Sequence, residues 1–130
     1  MCNEFVVTKI EALERAWKLL QEQKYDACQE TLLAMEPESK DCEEYHATWL
    51  STLIYRQRWD AVVAYARPLV ERHGGYCASF WFALVTGLSG QGKLAEAYQA
   101  VMQALSHWPS NSLLKAMEQS LDNGTGEGAR

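Results

Sequence analysis

The chain has 130 residues, 48% apolar and 22% charged, a balance that favours one folded domain and excludes wholesale disorder. Folding of a chain this long buries about two thirds of its unfolded surface, enough for one continuous core. A formal charge of −5, with no cluster of Lys or Arg, argues against nucleic acid and anionic membrane as partners, since both need a basic footprint.

The first residues, MCNEFVVTKIEALERAW, contain no basic segment followed by a long apolar run, so no signal peptide is expected. No stretch approaches the ~18 apolar residues of a membrane span. Cys2, Cys28, Cys42 and Cys77 are scattered without a C-x-x-C pair. Reduced thiols in a cytosol are the economical expectation.

Residues 1–7 carry no clear signal. Thr8 is the expected N-cap of the first helix, with Glu11 completing a capping box. Ile10, Leu13, Ala16, Trp17 and Leu20 then fall at helical spacing. After Gln23-Lys24, a second helix runs from Tyr25 through Cys28, Leu32 and Met35 and stops by Pro37, because proline disfavours helix in its predecessor. A polar link over 38–42 offers Asp41 as N-cap of a third helix, about Glu43 to Arg56. Gln57-Arg58 turns the chain into Trp59 and a fourth helix with Ala61, Val62, Ala66, Leu69 and Val70 apolar, ending at His73-Gly74-Gly75. Pro68 inside it should kink it.

The fifth and sixth helices occupy Ser79 to Pro109, joined by Gly90-Gln91-Gly92-Lys93. Ser110 or Ser112 is the expected cap of a seventh, with Leu113, Leu114, Met117 and Leu121 on one face. The tail 122–130 has nothing to bury and is expected to be disordered.

The second helix of each pair opens on an aromatic or Leu, followed three later by a small or medium residue: Tyr25/Cys28, Trp59/Val62, Leu94/Ala97. Cys28, Val62 and Ala97 lie 34 and 35 residues apart. That period, with Trp81, Leu84, Ala97 and Pro109 in place, resembles the tetratricopeptide (TPR) pattern, although Val85, Leu88 and Val101 replace its Gly, Tyr and Phe. The resemblance implies an all-α fold: three TPR-like hairpins at about 10–37, 43–73 and 78–108, stacked as a short right-handed superhelix, with a capping helix at 110–121. The reading is of a single domain over 1–121.

Two patterns imitate chemistry. Gly87 to Lys93 matches G-x-x-x-x-G-K, but Leu94 stands where a P-loop needs Ser or Thr, and a helical rather than strand pattern precedes it. Cys42 and His46 are four apart, yet two ligands are too few for zinc. No catalytic, metal or cofactor constellation remains, and the expectation is a non-enzymatic protein without cofactors.

In TPR proteins the first helix of each hairpin lines the concave face. The resemblance therefore places Leu13, Trp17, Leu20 and Gln21, then Ala47, Ser51, Ile54 and Tyr55, then Phe82, Thr86 and Ser89 in a groove. The clamp that some TPR domains use for a C-terminal carboxylate is missing, since Leu13, Trp17, Thr48, Ser79 and Ala83 occupy its places. An apolar, aromatic groove suits an amphipathic helix; packing of Trp17 and Phe82 against the N-terminal segment or a second copy stays open.

Residues 45–121 are similar to TPR-like chaperones of bacterial type III secretion, with the needle-subunit chaperone nearest. The residues that carry this are Trp49-Leu50-Ser51-Thr52-Leu53, Phe80-Trp81-Phe82-Ala83-Leu84 and Met117-Glu118-Gln119-Ser120-Leu121. The resemblance implies a bacterial cytoplasmic chaperone that masks an amphipathic helix of a secreted needle-type subunit and prevents premature polymerisation. A second small chaperone or a homodimer would be compatible with it. The alternative is a generic TPR adaptor in another assembly pathway.

Overall fold

A computed structural model describes residues 2–40, 42–73 and 78–128. Among them the chain is all-α: α1 (Cys2–Gln21), α2 (Tyr25–Leu33), α3 (Glu43–Tyr55), α4 (Trp59–His73), α5 (Ala78–Gly90), α6 (Leu94–His107) and α7 (Ser112–Gly128), with a 3₁₀ turn at Pro37–Ser39 after α2. Asp41, Gly74 and Gly75, for which caps were expected, lie outside the described residues.

Three local expectations are corrected. Thr8 does not cap α1 but lies within it, because the helix already begins at Cys2. No Pro or Gly interrupts residues 2–21, and the β-branched Val6-Val7-Thr8 run costs helix only tenths of a kcal/mol per residue. The cap of α7 is neither Ser110 nor Ser112: the Leu114 N–H donates to Asn111 Oδ1 at 3.0 Å. Ser112 is already helical, and Asn is among the strongest N-caps. Finally, α7 continues past Leu121 to Gly128 instead of giving way to a disordered tail. Glycines at 124, 126 and 128 each disfavour helix by about 1 kcal/mol but do not forbid it, and no proline intervenes.

The chain divides into two compact units, Met1–Arg56 and Gln57–Arg130. The boundary falls in the turn of the expected 43–73 hairpin, so α3 belongs to the first unit and α4 to the second. In the first unit α1 packs on α2 and α3, and α2 also packs on α3. Its core is Ala16, Leu20, Cys28, Leu32, Met35 and Tyr45, bordered by Leu13, Leu19, Tyr25 and Trp49. In the second unit α4 packs on α5, α5 on α6 and α6 on α7. Phe80, Leu88, Leu114, Val62, Val85 and Val101 are its largest fully buried side chains. Leu113, expected on the apolar face of α7, is instead 52% exposed.

The 34–35-residue period has a conformational counterpart. Gln23 (φ 64°), Gln57 (φ 57°) and Gly92 (φ 81°) adopt left-handed backbone at successive intervals of 34 and 35 residues. Two of these turns close identically. The Gln23 and Lys24 N–H groups donate to the Leu20 and Leu19 carbonyls at 3.0 and 2.8 Å. Those of Gly92 and Lys93 donate to Ser89 and Leu88 at 3.0 and 2.9 Å. This is the Schellman closure, which satisfies carbonyls orphaned at a helix C-terminus. Non-glycine residues tolerate this conformation at a cost of about 1–2 kcal/mol.

Burial follows the same columns. Cys28, Val62 and Ala97 are each 0% exposed, as are Leu32, Ala66 and Val101. Ala16, Leu50 and Val85 form a third column, all buried. The small or medium residue after each turn is thus fully buried, and Val62 lies against Gly87 of α5.

Candidate protein-binding face

Three register columns on the first helix of each pair hold the expected groove residues: Leu13/Ala47/Phe82, Trp17/Ser51/Thr86 and Leu20/Ile54/Ser89. Burial of Ala16 and Leu20 in the first unit's core directs the next positions of α1 outward, and Trp17 is left 47% exposed. At the end of α3, Tyr55 is 63% exposed. Trp17, Leu20 and Tyr55 line one pocket of about 330 Å³ together with Gln21, Gln23 and Tyr25.

The wall of this pocket is held by a short chain of contacts. The Tyr55 and Tyr25 rings stack with centroids 6.4 Å apart and planes at 23°. The Arg56 guanidinium lies 5.6 Å from the Tyr25 ring centroid. Its Nη2 is 2.8 Å from Asp26 Oδ1. Tyr55 is therefore stacked on Tyr25 of α2 despite its exposure.

The other expected residues of the first unit do not line that pocket. Leu13 packs against the core, and Ala47, Ser51 and Ile54 are half-buried on α3. The Ser51 hydroxyl donates to the Ala47 carbonyl at 2.8 Å. In the second unit Thr86 lines a separate pocket of about 350 Å³ with Val85 and Ser89 of α5 and Ala116, Met117, Ser120 and Leu121 of α7. Phe82 is half-buried and outside it; its carbonyl accepts the Thr86 hydroxyl at 2.7 Å. Ser51 and Thr86 therefore direct their donors to their own helices.

Sequence reasoning missed Tyr25 and Gln23 in the first pocket and the whole α7 wall of the second. Tyr25 carried a usable signal as the aromatic that opens a second helix. The α7 residues carried none, because a capping helix and a pocket wall have the same periodicity.

Comparison with protein-family models, curated proteins and solved structures returns no match.

The patterns that imitated chemistry have structural roles. A Cβ on Gly87 would come within 2.8 Å of Val63 and 2.9 Å of Val62, and one on Gly90 within 2.2 Å of the Trp59 ring. Both glycines allow α4 to approach α5. The His46 N–H donates to the Cys42 carbonyl at 3.1 Å in the first turn of α3. Among the described residues no group of three or more His, Cys, Asp or Glu is placed to hold a metal ion. No helix among them is long and apolar enough to cross a membrane.

Burial raises the pKa of the Cys28 thiol. It also raises that of Tyr45, with a smaller contribution from the Cys42 charge. A folded-state pKa above the unfolded value contributes stability that is fully present below the unfolded pKa and is lost as pH rises through the folded one. Melting by circular dichroism should therefore show Tm falling from pH 8 to pH 10. The fall should be smaller in Cys28→Ala, a change compatible with the alanine at the equivalent position 97. An equal fall in both proteins would exclude Cys28 as a contributor.

Proposed function

We propose that this chain is a non-catalytic, TPR-like protein-binding module. Within that class we assign it as a type III secretion chaperone that masks an amphipathic helix of a needle-type subunit. The observation that carries the binding role is the pocket of Trp17, Leu20, Tyr25 and Tyr55, with two of its aromatic rings about half exposed or more. Trp and Tyr dominate the energetics of protein interfaces, since their large rings bury apolar area at little conformational cost. The repeated left-handed turns and matching buried columns support the TPR-like reading.

The chaperone assignment rests on the resemblance of residues 45–121 given above. Its physics is simple: a subunit built to polymerise presents an apolar helix, and a groove that covers it keeps it monomeric. The role places the protein in a bacterial cytoplasm, with no cofactor. Co-expression in a bacterium carrying a type III system, followed by mass spectrometry of the purified complex, tests it. A stoichiometric complex with a small helical export subunit is expected. A large multidomain partner would instead assign the chain as a TPR adaptor, and a chain purified alone would overturn the chaperone role.

A further inference from the structure

Charge divides the first unit into two ends. Residues 1–56 hold 11 of the 17 acidic side chains and 6 of the 12 basic ones, so the whole charge of −5 lies there and residues 57–130 are neutral overall. Within the unit the excess is narrower still. Residues 30–44 hold six Asp or Glu against Lys40 alone, and the remaining charges of the unit cancel, five against five.

Beside the aromatic pocket the charges are paired: Lys24 Nζ is 3.7 Å from Glu22 Oε1, and Arg56 Nη2 is 2.8 Å from Asp26 Oδ1. The side chains that line the pocket are all neutral. The acidic corner instead exposes Glu36, Glu38 and Glu44, none of them ion-paired among the described residues. Its one base, Lys40, donates to the Leu33 carbonyl at 2.8 Å. Helix α3 joins the two ends. Glu44, Ser51 and Tyr55 share one of its faces, with Glu44 11 residues before Tyr55, about 16 Å of helix. On α1, Ile10 and Trp17 likewise share a face and are 50% and 47% exposed, so the apolar surface runs back beyond the pocket.

An occupant that matches both ends is an amphipathic helix with an apolar face for the pocket and Lys or Arg about three turns away. A second copy of the chain does not match, since its first unit repeats the acidic corner and its second is neutral overall. We propose that the aromatic face of the first unit takes a partner helix that is basic at one end, its cations lying over the corner of Glu36, Glu38 and Glu44. This partner chemistry rests on the pocket being the binding face and adds to it a charge and a direction along α3.

Three helical peptides test it, each with the same Leu/Ile face and, about three turns from the centre of that face, a cluster of Lys, of Gln or of Glu. They are titrated calorimetrically into the full chain. At about 50 mM salt the Lys peptide should bind about tenfold more tightly than the Gln peptide, and the Glu peptide more weakly than either. Raising salt to about 500 mM should erase most of the difference. Glu36→Gln, Glu38→Gln and Glu44→Gln combined should remove the Lys preference. Glu11→Gln, Glu71→Gln and Glu96→Gln combined, an equal charge change at other exposed positions, should keep it. Trp17→Ala should weaken all three peptides by a similar factor. If it does, but the Lys and Gln peptides bind alike or the Lys preference survives loss of the corner glutamates, the pocket stands and the basic partner is overturned. Binding indifferent to Trp17→Ala, or no saturable binding of the Lys peptide, overturns both together. A free chain that sediments as a dimer and becomes monomeric in Trp17→Ala would assign the face to a second copy and overturn the basic partner as well.

Discussion

Trp17→Glu should reduce affinity for the co-expressed partner by at least about a hundredfold, because covering a carboxylate with no counter-charge costs several kcal/mol. The free protein should hardly notice the change. Trp17 is 47% exposed, so its replacement removes part of one pocket wall and places a charge that water can still reach. Tm should fall by only a few degrees, and far-ultraviolet circular dichroism should keep its helical form. Leu33→Glu is the matched control, since Leu33 is 57% exposed on α2 and outside the pocket. Calorimetric titration of the two variants against the same partner distinguishes a local from a general charge effect. Equal affinity of Trp17→Glu and wild type would remove this pocket from the interface.

Gly90→Val should be the most damaging of the glycine substitutions for the fold. A Cβ at this position would lie 2.2–2.5 Å from three Trp59 ring atoms, far inside van der Waals contact. Those atoms are at the root and centre of the indole, so relief requires the whole ring to move. Overpacking of this kind costs about 1–3 kcal/mol, equivalent to lowering Tm by about 4–11 °C for a chain of this size. Gly92→Ala isolates the backbone component, because Gly92 has φ +81° and nothing within 4 Å of its Cβ direction. Thermal melting of Gly90→Val alone and combined with Trp59→Leu measures the coupling. If the clash is real, Trp59→Leu restores part of the loss; strict additivity would show that the loss does not come from the ring, and a neutral Gly90→Val that the ring moves freely.

Helices and their period were legible because both are local. Cys28, Val62 and Ala97 each stand near the start of a helix and are 0% exposed, and small or medium residues recur there every 34–35 residues. The ends of the helical array were not legible in the same way. Residues 2–8 and 122–128 have no apolar stripe to announce them, yet nothing in α1 stops a helix and the α7 glycines only weaken one. At the α7 cap, Ser110, Asn111 and Ser112 are all acceptable by type, and only the 3.0 Å bond to Leu114 decides for Asn111.

By itself, then, the sequence determined an all-helical chain and the 34–35-residue spacing of its turns and buried small residues. It did not determine which outward residues act together. Trp17 and Trp81 satisfy the same helical spacing, yet one is 47% exposed and the other 6%. Trp17, Tyr25 and Tyr55 share a pocket although Trp17 and Tyr55 are 38 residues apart. Arg56 and Gln91 stand 35 residues apart, but Arg56 pairs with Asp26 while Gln91 donates its amide N–H to Asp60 and leaves its amide oxygen unpaired. Periodicity constrains one helix at a time, whereas these distinctions arise from contacts between helices, which depend on how neighbouring side chains divide the same space.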